Sequence, residues 1–519
     1  MDLKTSLAYQ LAKGRLRQID TYVERAEDLQ SHQLRHLLDR ARHTEFGRSY
    51  SLDKTTTSSD FTSRVPIQDY EGCKGDIERM VRGEKDILVP GVCRWYAKSS
   101  GTTSDRSKFI PVPALHLNDC HYLGGRDALW IYLRNNPKSQ FFSTKGLILG
   151  GSHTPLPIAG GKAHAGDLSS LLVEHMPLLG DLLRVPTRET LLMNEWTAKM
   201  QRIIQETIPA RVGSLSGVPS WMLVLLRGVL EQTGRETITE VWPDLEVFFH
   251  GGISFSPYRE TYEALIPSEL MHYQETYNAS EGFFAIQDDP SEASMLLMLD
   301  YGIYYEFIPM DELPQDGDYT SCRALPLHEV ELGKDYALVI TTLGGLYRYL
   351  IGDTVRFTSL APYRLIITGR TKHFINAFGE ELMVSNADRA LAQACRQDGQ
   401  ARVSEYTAAP LFFLEEGKGR HDWLIEFEVP PHDLRQFQAN LDAALRALNS
   451  DYDAKRYEDM TLRELSITVA SPGLFHRWLE GAGKLGGQHK VPRLANNRHY
   501  LDSLLELLRV SEVQAPATL

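Results

Sequence analysis

The sequence predicts an α/β protein. A large N-terminal α/β domain with more than one sheet is expected over residues 1–369, and a smaller α+β domain over 370–519. Two observations predict this. Up to about residue 369, short apolar runs ending in Gly or Thr alternate with helical stretches, the pattern of layers around a sheet. After Gly369 the runs become alternating strands beside an amphipathic helix, which marks a separate unit of ordinary domain size. A chain of 519 residues agrees with three or so domains of roughly 150 residues. It can bury its core without disulfide or metal staples.

In chain order, residues 1 to about 45 are helix-rich, with Leu7, Leu11, Leu29, Leu34, Leu37 and Leu38 as apolar positions. Ser51–Asp60 (SLDKTTTSSD) is predicted as a loop. Lys145–Gly151, Leu245–Gly251 and Tyr336–Thr342 are predicted as short buried strands. Leu192, Trp196, Met200, Ile203 and Ile204 fall on one helical face. Ser385-Asn386-Ala387-Asp388 resembles a capping box that opens a helix. Trp423, Ile425, Phe427 and Val429 alternate with Glu426 and Glu428 as in a half-buried strand. Leu434, Phe437, Leu441, Leu445 and Leu448 form a helical stripe, and Leu465, Ile467 and Val469 a further alternating strand. The boundary between the domains is placed at Gly369–Arg370.

Lys and Arg number 55 against 68 Asp and Glu, a formal net charge of −13. That argues against a broad nucleic-acid surface, which needs net positive charge. It leaves room for an anionic small ligand, which a few cations and N–H groups can hold. Cys73, Cys93, Cys120, Cys322 and Cys395 are odd in number and widely spaced, with no C-x-x-C, and read as reduced thiols of a cytoplasmic protein. The opening MDLKTSLAYQLAKGRLRQ has no apolar core of signal-peptide length. The most apolar run, Trp221–Leu230, is cut by Arg227 and too short to span a bilayer. No membrane partner is expected.

Five segments could carry chemistry. Ser99-Ser100-Gly101-Thr102-Thr103, with Lys108 beyond it, is either an anion nest or a solvated hydroxyl-rich loop; it is not a Walker A loop. Tyr277-Asn278-Ala279-Ser280-Glu281-Gly282 offers an aromatic ring for a base and a carboxylate for Mg²⁺, or else a core Tyr beside a surface Glu. Asp353, after Gly352 at the end of Tyr347–Ile351, could accept from a ribose diol or sit in a plain Gly-Asp turn. Gly369-Arg370 is a hinge or a linker. Gly483–Arg493 (GKLGGQHKVPR) is a glycine-rich loop that could carry a cation into a site, or an ordinary surface loop.

Their order and spacing, SSGTT, HGG, YNASEG, YRYLIGD, GR and GQHKVPR, resemble the adenylate-forming superfamily of acyl-CoA synthetases, luciferases and peptide-synthetase adenylation domains. Within it the chain is most similar to the acyl acid–amido synthetases of the auxin-responsive Gretchen Hagen family, from about Val65 to about Arg493. The hinge segment TKHFINAFGEEL favours that branch. One departure is Ser104-Asp105-Arg106, where the plant pattern has a second glycine and more small residues.

The resemblance implies ATP and Mg²⁺ as cofactors, and a small carboxylic acid and an amino acid or other amine as substrates. Ser99, Ser100, Gly101, Thr102 and Thr103 would cradle the phosphates, with Lys108 retained beside them. Gly251 and Gly252 would lie against adenine, Tyr277 would stack on it, and Ser280 would contact the α-phosphate. Glu281 would hold Mg²⁺, Asp353 the ribose, and Arg370 would sit at the hinge near the ribose. Lys490 would be the catalytic cation of a mobile C-terminal domain. The acyl pocket is expected around residues 115–135, 210–225 and 300–310. Adenylation with coenzyme A as acceptor, and a nucleotide-binding regulatory protein without turnover, are the alternative readings. A hydrolase is disfavoured because neither H-E-x-x-H nor G-x-S-x-G occurs.

Overall fold

The computed structural model describes residues 1–99, 108–150, 163–193, 196–255, 258–314, 318–319, 322–371, 374–412, 418–457, 461–481 and 491–514. They form two compact units, one running to Thr371 and the other formed by the residues after it.

The first unit opens with two helices, Leu3–Asp20 and Tyr22–Ala41. Asp2 caps the first, its carboxylate accepting from the N–H groups of Lys4 and Thr5. Leu16, Ile19, Leu29, Leu34, Leu37 and Leu38 are buried, whereas Leu7 and Leu11 are 63% and 83% exposed. The core-facing stripe of the first helix is therefore Ala12, Leu16 and Ile19, and the two predicted leucines lie on its outer face. Both helices are anchored to one later segment. Gln30 donates to the carbonyls of Leu299 and Ile303 and accepts the Tyr305 N–H. Arg15 bridges Asp127 and Asp300. Part of the predicted loop 51–60 is helical. Thr57 and Asp60 form a capping box that starts the helix Ser58–Arg64 within it.

Among the described residues, one sheet carries 12 strands. Its parallel part runs in the order Arg184–Val185, Lys145–Ile148, Val212–Gly217, Val247–His250 and His272–Ala279. Its antiparallel part continues through Gly282–Ile286, Met295–Leu297, Tyr363–Arg370, Tyr349–Leu360, Asp335–Thr342, Ile303–Pro309 and Leu325–Pro326. The three strands expected from sequence are all present. Met200, Ile203 and Ile204 lie buried on the helix Trp196–Thr207, while Leu192 precedes it as the cap of the short helix Arg188–Leu191. The apolar run 221–230 lies within Pro219–Thr233, a helix with Pro at its first position and Gly234 ending it at φ 65°. Among the described residues no helix is long and apolar enough to cross a membrane.

In the second unit, Arg402–Leu411 pairs antiparallel with Arg420–Val429, which pairs parallel with Ser466–Ala470. The helices Val384–Asp398 and Leu434–Leu448 pack against each other. The first begins earlier than the predicted capping box. Asn386 accepts the Met383 N–H, so Ser385 lies inside the first turn. Phe437, Leu441 and Leu445 are buried as expected. Val469 is 43% exposed while Ala470 is buried, so the alternation breaks at the end of that strand.

Candidate active site

The turn Ser280-Glu281 joins His272–Ala279 to Gly282–Ile286, where the sheet changes from parallel to antiparallel pairing. The turn lies beyond the carboxyl ends of the parallel strands, the side on which open α/β sheets bind ligands. The same edge holds the end of Val247–His250, followed by Gly251 and Gly252. A Cβ on Gly251 would lie 2.4 Å from the Thr276 carbonyl oxygen, and Gly252 has φ 83°. Both positions therefore need glycine for reasons internal to the protein. His250 is buried, stacked on Phe255 with ring centroids 4.1 Å apart, and burial pushes its pKa down to about 3.

Asp353 is not in a turn. It lies inside the strand Tyr349–Leu360, just after Gly352 at φ 95°. The register against Asp335–Thr342 shifts between Ala337 and Val339, so Leu350 and Thr354 flank a bulge that contains Gly352 and Asp353. Bulges re-aim side chains, and here the carboxylate gathers two donors. Arg370 Nε donates to Oδ1 at 2.7 Å and the Tyr277 hydroxyl donates to Oδ2 at 2.7 Å. Arg370 ends the strand Tyr363–Arg370 and stands directly opposite Asp353. The expected boundary thus falls on the last rung of a strand. Tyr277 is 4% exposed and packs at 4.8 Å on Phe284. Burial, then the Asp353 charge, holds its hydroxyl well above the usual phenol range.

Glu281 is buried, and burial raises its carboxyl pKa against the opposing pull of Lys108 and Arg370. Its side chain forms no ion pair among the described residues. Lys108 opens the strand Lys108–Pro111, paired with Ser99, and its ammonium lies 5.7 Å from the centroid of the Tyr70 ring. Tyr70 in turn accepts the Phe109 N–H. Tyr277, Ser280, Glu281, Lys108, Asp353 and Arg370 all belong to the first unit. Ser100, Gly101, Thr102, Thr103 and Lys490 lie outside the described residues.

Two contributors carried no sequence signal. Tyr70 begins the helix Tyr70–Val81 behind its cap Asp69. His116 is wholly buried and its Nε2 donates to the Glu281 carbonyl at 3.1 Å. A lone Tyr at a helix start and a lone His in an apolar run look like ordinary core residues; only their eventual neighbours distinguish them. Near Tyr349, Arg348 is buried at φ 45° and holds Glu306 along with the Thr62 and Val65 carbonyls.

Comparison with known proteins places these residues in context. The description "GH3 family N-terminal domain" matches residues 15–271, "GH3 family central domain" 296–370 and "GH3 family C-terminal domain" 385–499. The chain is 25% identical over 577 aligned positions to indole-3-acetic acid-amido synthetase GH3.4 of Arabidopsis thaliana, covering 96% of this chain and 94% of that protein. It is 24% identical to the GH3.8 enzyme of the same description from Oryza sativa subsp. indica, covering 95% and 92%. Among solved structures, AtGH3.15 acyl acid amido synthetase in complex with 2,4-DB superposes with a TM-score of 0.60 at 18% identity, over 95% of each chain. A 2-hydroxyisobutyryl-CoA ligase with 2-HIB-AMP and CoA superposes with a TM-score of 0.56 at 15% identity, over 94% and 92%.

Proposed function

Because this chain belongs to the GH3 family, we propose that it is an ATP-dependent acyl acid–amido synthetase that forms AMP and pyrophosphate. A substrate carboxylate attacks the α-phosphorus of ATP and expels pyrophosphate. The amine of an amino acid then attacks the carbonyl of the acyl-adenylate, loses its proton and expels AMP. The observation that carries this reading is the meeting of Tyr277, Asp353 and Arg370 beside Glu281 and Lys108, from motifs far apart in the chain.

In the first step both reactants are anionic, so preorganised cations and N–H donors are the main catalytic need. Lys108 supplies positive charge near Glu281. The Asp353 carboxylate, fixed by two donors, keeps lone pairs for the ribose hydroxyls, and Tyr277 would stack on the adenine. Residues 99–103 hold the phosphates, Ser280 the α-phosphate, and Gly251 and Gly252 line the adenine side. The Glu281 carboxylate is a hard oxygen donor without an ion-pair partner among the described residues, which suits Mg²⁺ held by one carboxylate and the nucleotide phosphates. When bound, Mg²⁺ would neutralise phosphate charge. Among the described residues no cluster of three His, Cys, Asp or Glu offers a different metal site. The residues after Thr371 would form a mobile domain that brings Lys490 to the reacting carboxylate and moves away for the second step. The five cysteines are free thiols, which supports a cytoplasmic setting.

ATP–pyrophosphate exchange across a panel of carboxylic acids tests the first step. AMP must be the nucleotide product, and ADP would overturn the reading. The fold shared with the CoA ligase keeps thioester formation as a second reading. Offering amino acids and coenzyme A to the best acid separates the two, since only one acceptor should consume the adenylate.

A further inference from the structure

The turn that carries Glu281 is gripped from one side by a single stretch of chain. The short helix Ala114–His116 continues into the π-helical segment Leu117–Tyr122 and then the helix Leu123–Asn135. His116 donates from Nε2 to the Glu281 carbonyl at 3.1 Å. Four residues on, Cys120 Sγ accepts the Phe283 N–H at 3.2 Å. Gly124, four residues further, leaves room for the Phe283 ring, which a Cβ there would meet at 2.3 Å. Carbonyl 281, amide 283 and ring 283 are thus held by positions 116, 120 and 124. π-Helical segments are often found at functional sites.

An imidazole is a costly choice for position 116. Its bond to the Glu281 carbonyl sets the Nε2–H tautomer. His121 packs edge-on against it at 4.9 Å. Nδ1 is then a buried acceptor without a partner among the described residues. An apolar side chain would avoid that loss. What the histidine alone supplies is the bond to Glu281.

We infer that His116 is a positioning residue for the Glu281 carboxylate: it fixes the 281 peptide so that the carboxylate meets Mg²⁺·ATP in one orientation. This rests on the proposed role of Glu281. His116 touches neither nucleotide nor metal and acts only through that peptide.

The test is calorimetric titration with Mg²⁺·ATP, without acid or amine, on the full chain and its variants. His116→Leu should weaken binding about three- to tenfold, the worth of one hydrogen bond. His116→Gln, whose amide can donate from near the Nε2 position, should stay within about twofold of wild type. In a Glu281→Ala background His116→Leu should add nothing. With ATP in EDTA the His116 variants should match wild type. Equal weakening in both backgrounds would mean a general structural role and overturn the inference. Unchanged affinity in His116→Leu, while Glu281→Ala binds weakly, would sink the inference alone. Unchanged affinity in Glu281→Ala would remove the role of Glu281 and this inference with it. Should the Leu variant not fold, His116→Asn, with its amide at the Nδ1 position, serves as the loss variant.

Discussion

Asp353 has two tasks, and two substitutions at that position separate them. In the protein it accepts from Arg370 and from the buried Tyr277 hydroxyl; in the proposed reaction it also accepts from the ribose. Asp353→Asn keeps the shape: its oxygen can accept from Arg370 while its NH₂ donates to the Tyr277 oxygen. Bonds to charged groups are worth about 1.5–3 kcal/mol and neutral ones about 0.5–1.5, so two weakened bonds cost roughly 1–3 kcal/mol of stability. The two ribose contacts weaken by about 1 kcal/mol each, which raises KM for ATP about thirtyfold. A ribose contact is the same before and during reaction, so kcat should stay within about threefold. Asp353→Ala should shift KM by at least as much and destabilise more. It strips the acceptor from the hydroxyl of Tyr277, a residue 4% exposed, and breaks an ion pair whose side chains are 25% and 10% exposed. Removing one partner of a buried pair costs about 3–5 kcal/mol, and this partly open pair belongs at the lower end. Steady-state ATP titrations at saturating acid and Mg²⁺, with scanning calorimetry of each variant, give both readouts. An unchanged KM in Asp353→Asn would remove Asp353 from the nucleotide site. Equal melting temperatures for the Asn and Ala variants would show that the bridge from Tyr277 to Arg370 contributes nothing to stability.

Four further outcomes are expected. Burial pushes the Glu275 carboxyl up to about 7 against the pull of Arg259; the folded protein then holds a proton that the unfolded chain loses near its ordinary value of 4.5, so stability falls as pH rises through that window. Glu275→Gln should gain about 3 kcal/mol above pH 7 and little below pH 4.5, and an equal gain at both ends of a pH series of denaturant titrations would contradict this. Arg348→Met strands the buried Glu306 carboxylate and should cost about 3–5 kcal/mol, most of it recovered by adding Glu306→Leu; a double variant no more stable than the single would count against the pairing. Gly251→Ala drives a Cβ into the Thr276 carbonyl and should cost about 1–3 kcal/mol, visible as a lowered Tm; a wild-type Tm would refute the close approach. Lys490→Ala should slow pyrophosphate exchange by about 10²–10³ and amide formation from supplied acyl-adenylate much less; equal loss in both half-reactions would argue against a moving domain.

The strands around the site were legible because their apolar runs are short and end in residues that stop strands. Asp353 was singled out from the sequence, but its geometry was not legible there. Gly352 looks like a turn signal, yet its positive φ serves a bulge within a 12-residue strand, and only pairing with residues 335–342 reveals that. Arg370 was expected at a hinge near the ribose; that it pairs directly with Asp353 depends on strand register, which no local pattern encodes. His116 and Tyr70 escaped for a similar reason, since their partners stand 165 and 39 residues away. At Leu7 and Leu11 the sequence shows apolar positions on a helix but not their orientation, because leucines spaced four apart mark a face without saying which way it points.

The anchoring of the first two helices has a consequence for how the chain is made. Arg15 finds Asp300 across 285 residues, and Gln30 finds Leu299 across 269. At roughly 5–20 residues per second, a ribosome needs about a quarter of a minute to a minute to cover that interval. Throughout it, Leu16, Ile19, Leu34 and Leu37 have helices to sit on but no sheet to cover them. The antiparallel half of the sheet waits longer still, because Met295–Leu297 pairs with Tyr363–Arg370. A nascent chain of this protein therefore carries an uncovered apolar surface until the segment around residue 300 has emerged, an interval in which exposed apolar surface favours association with other chains.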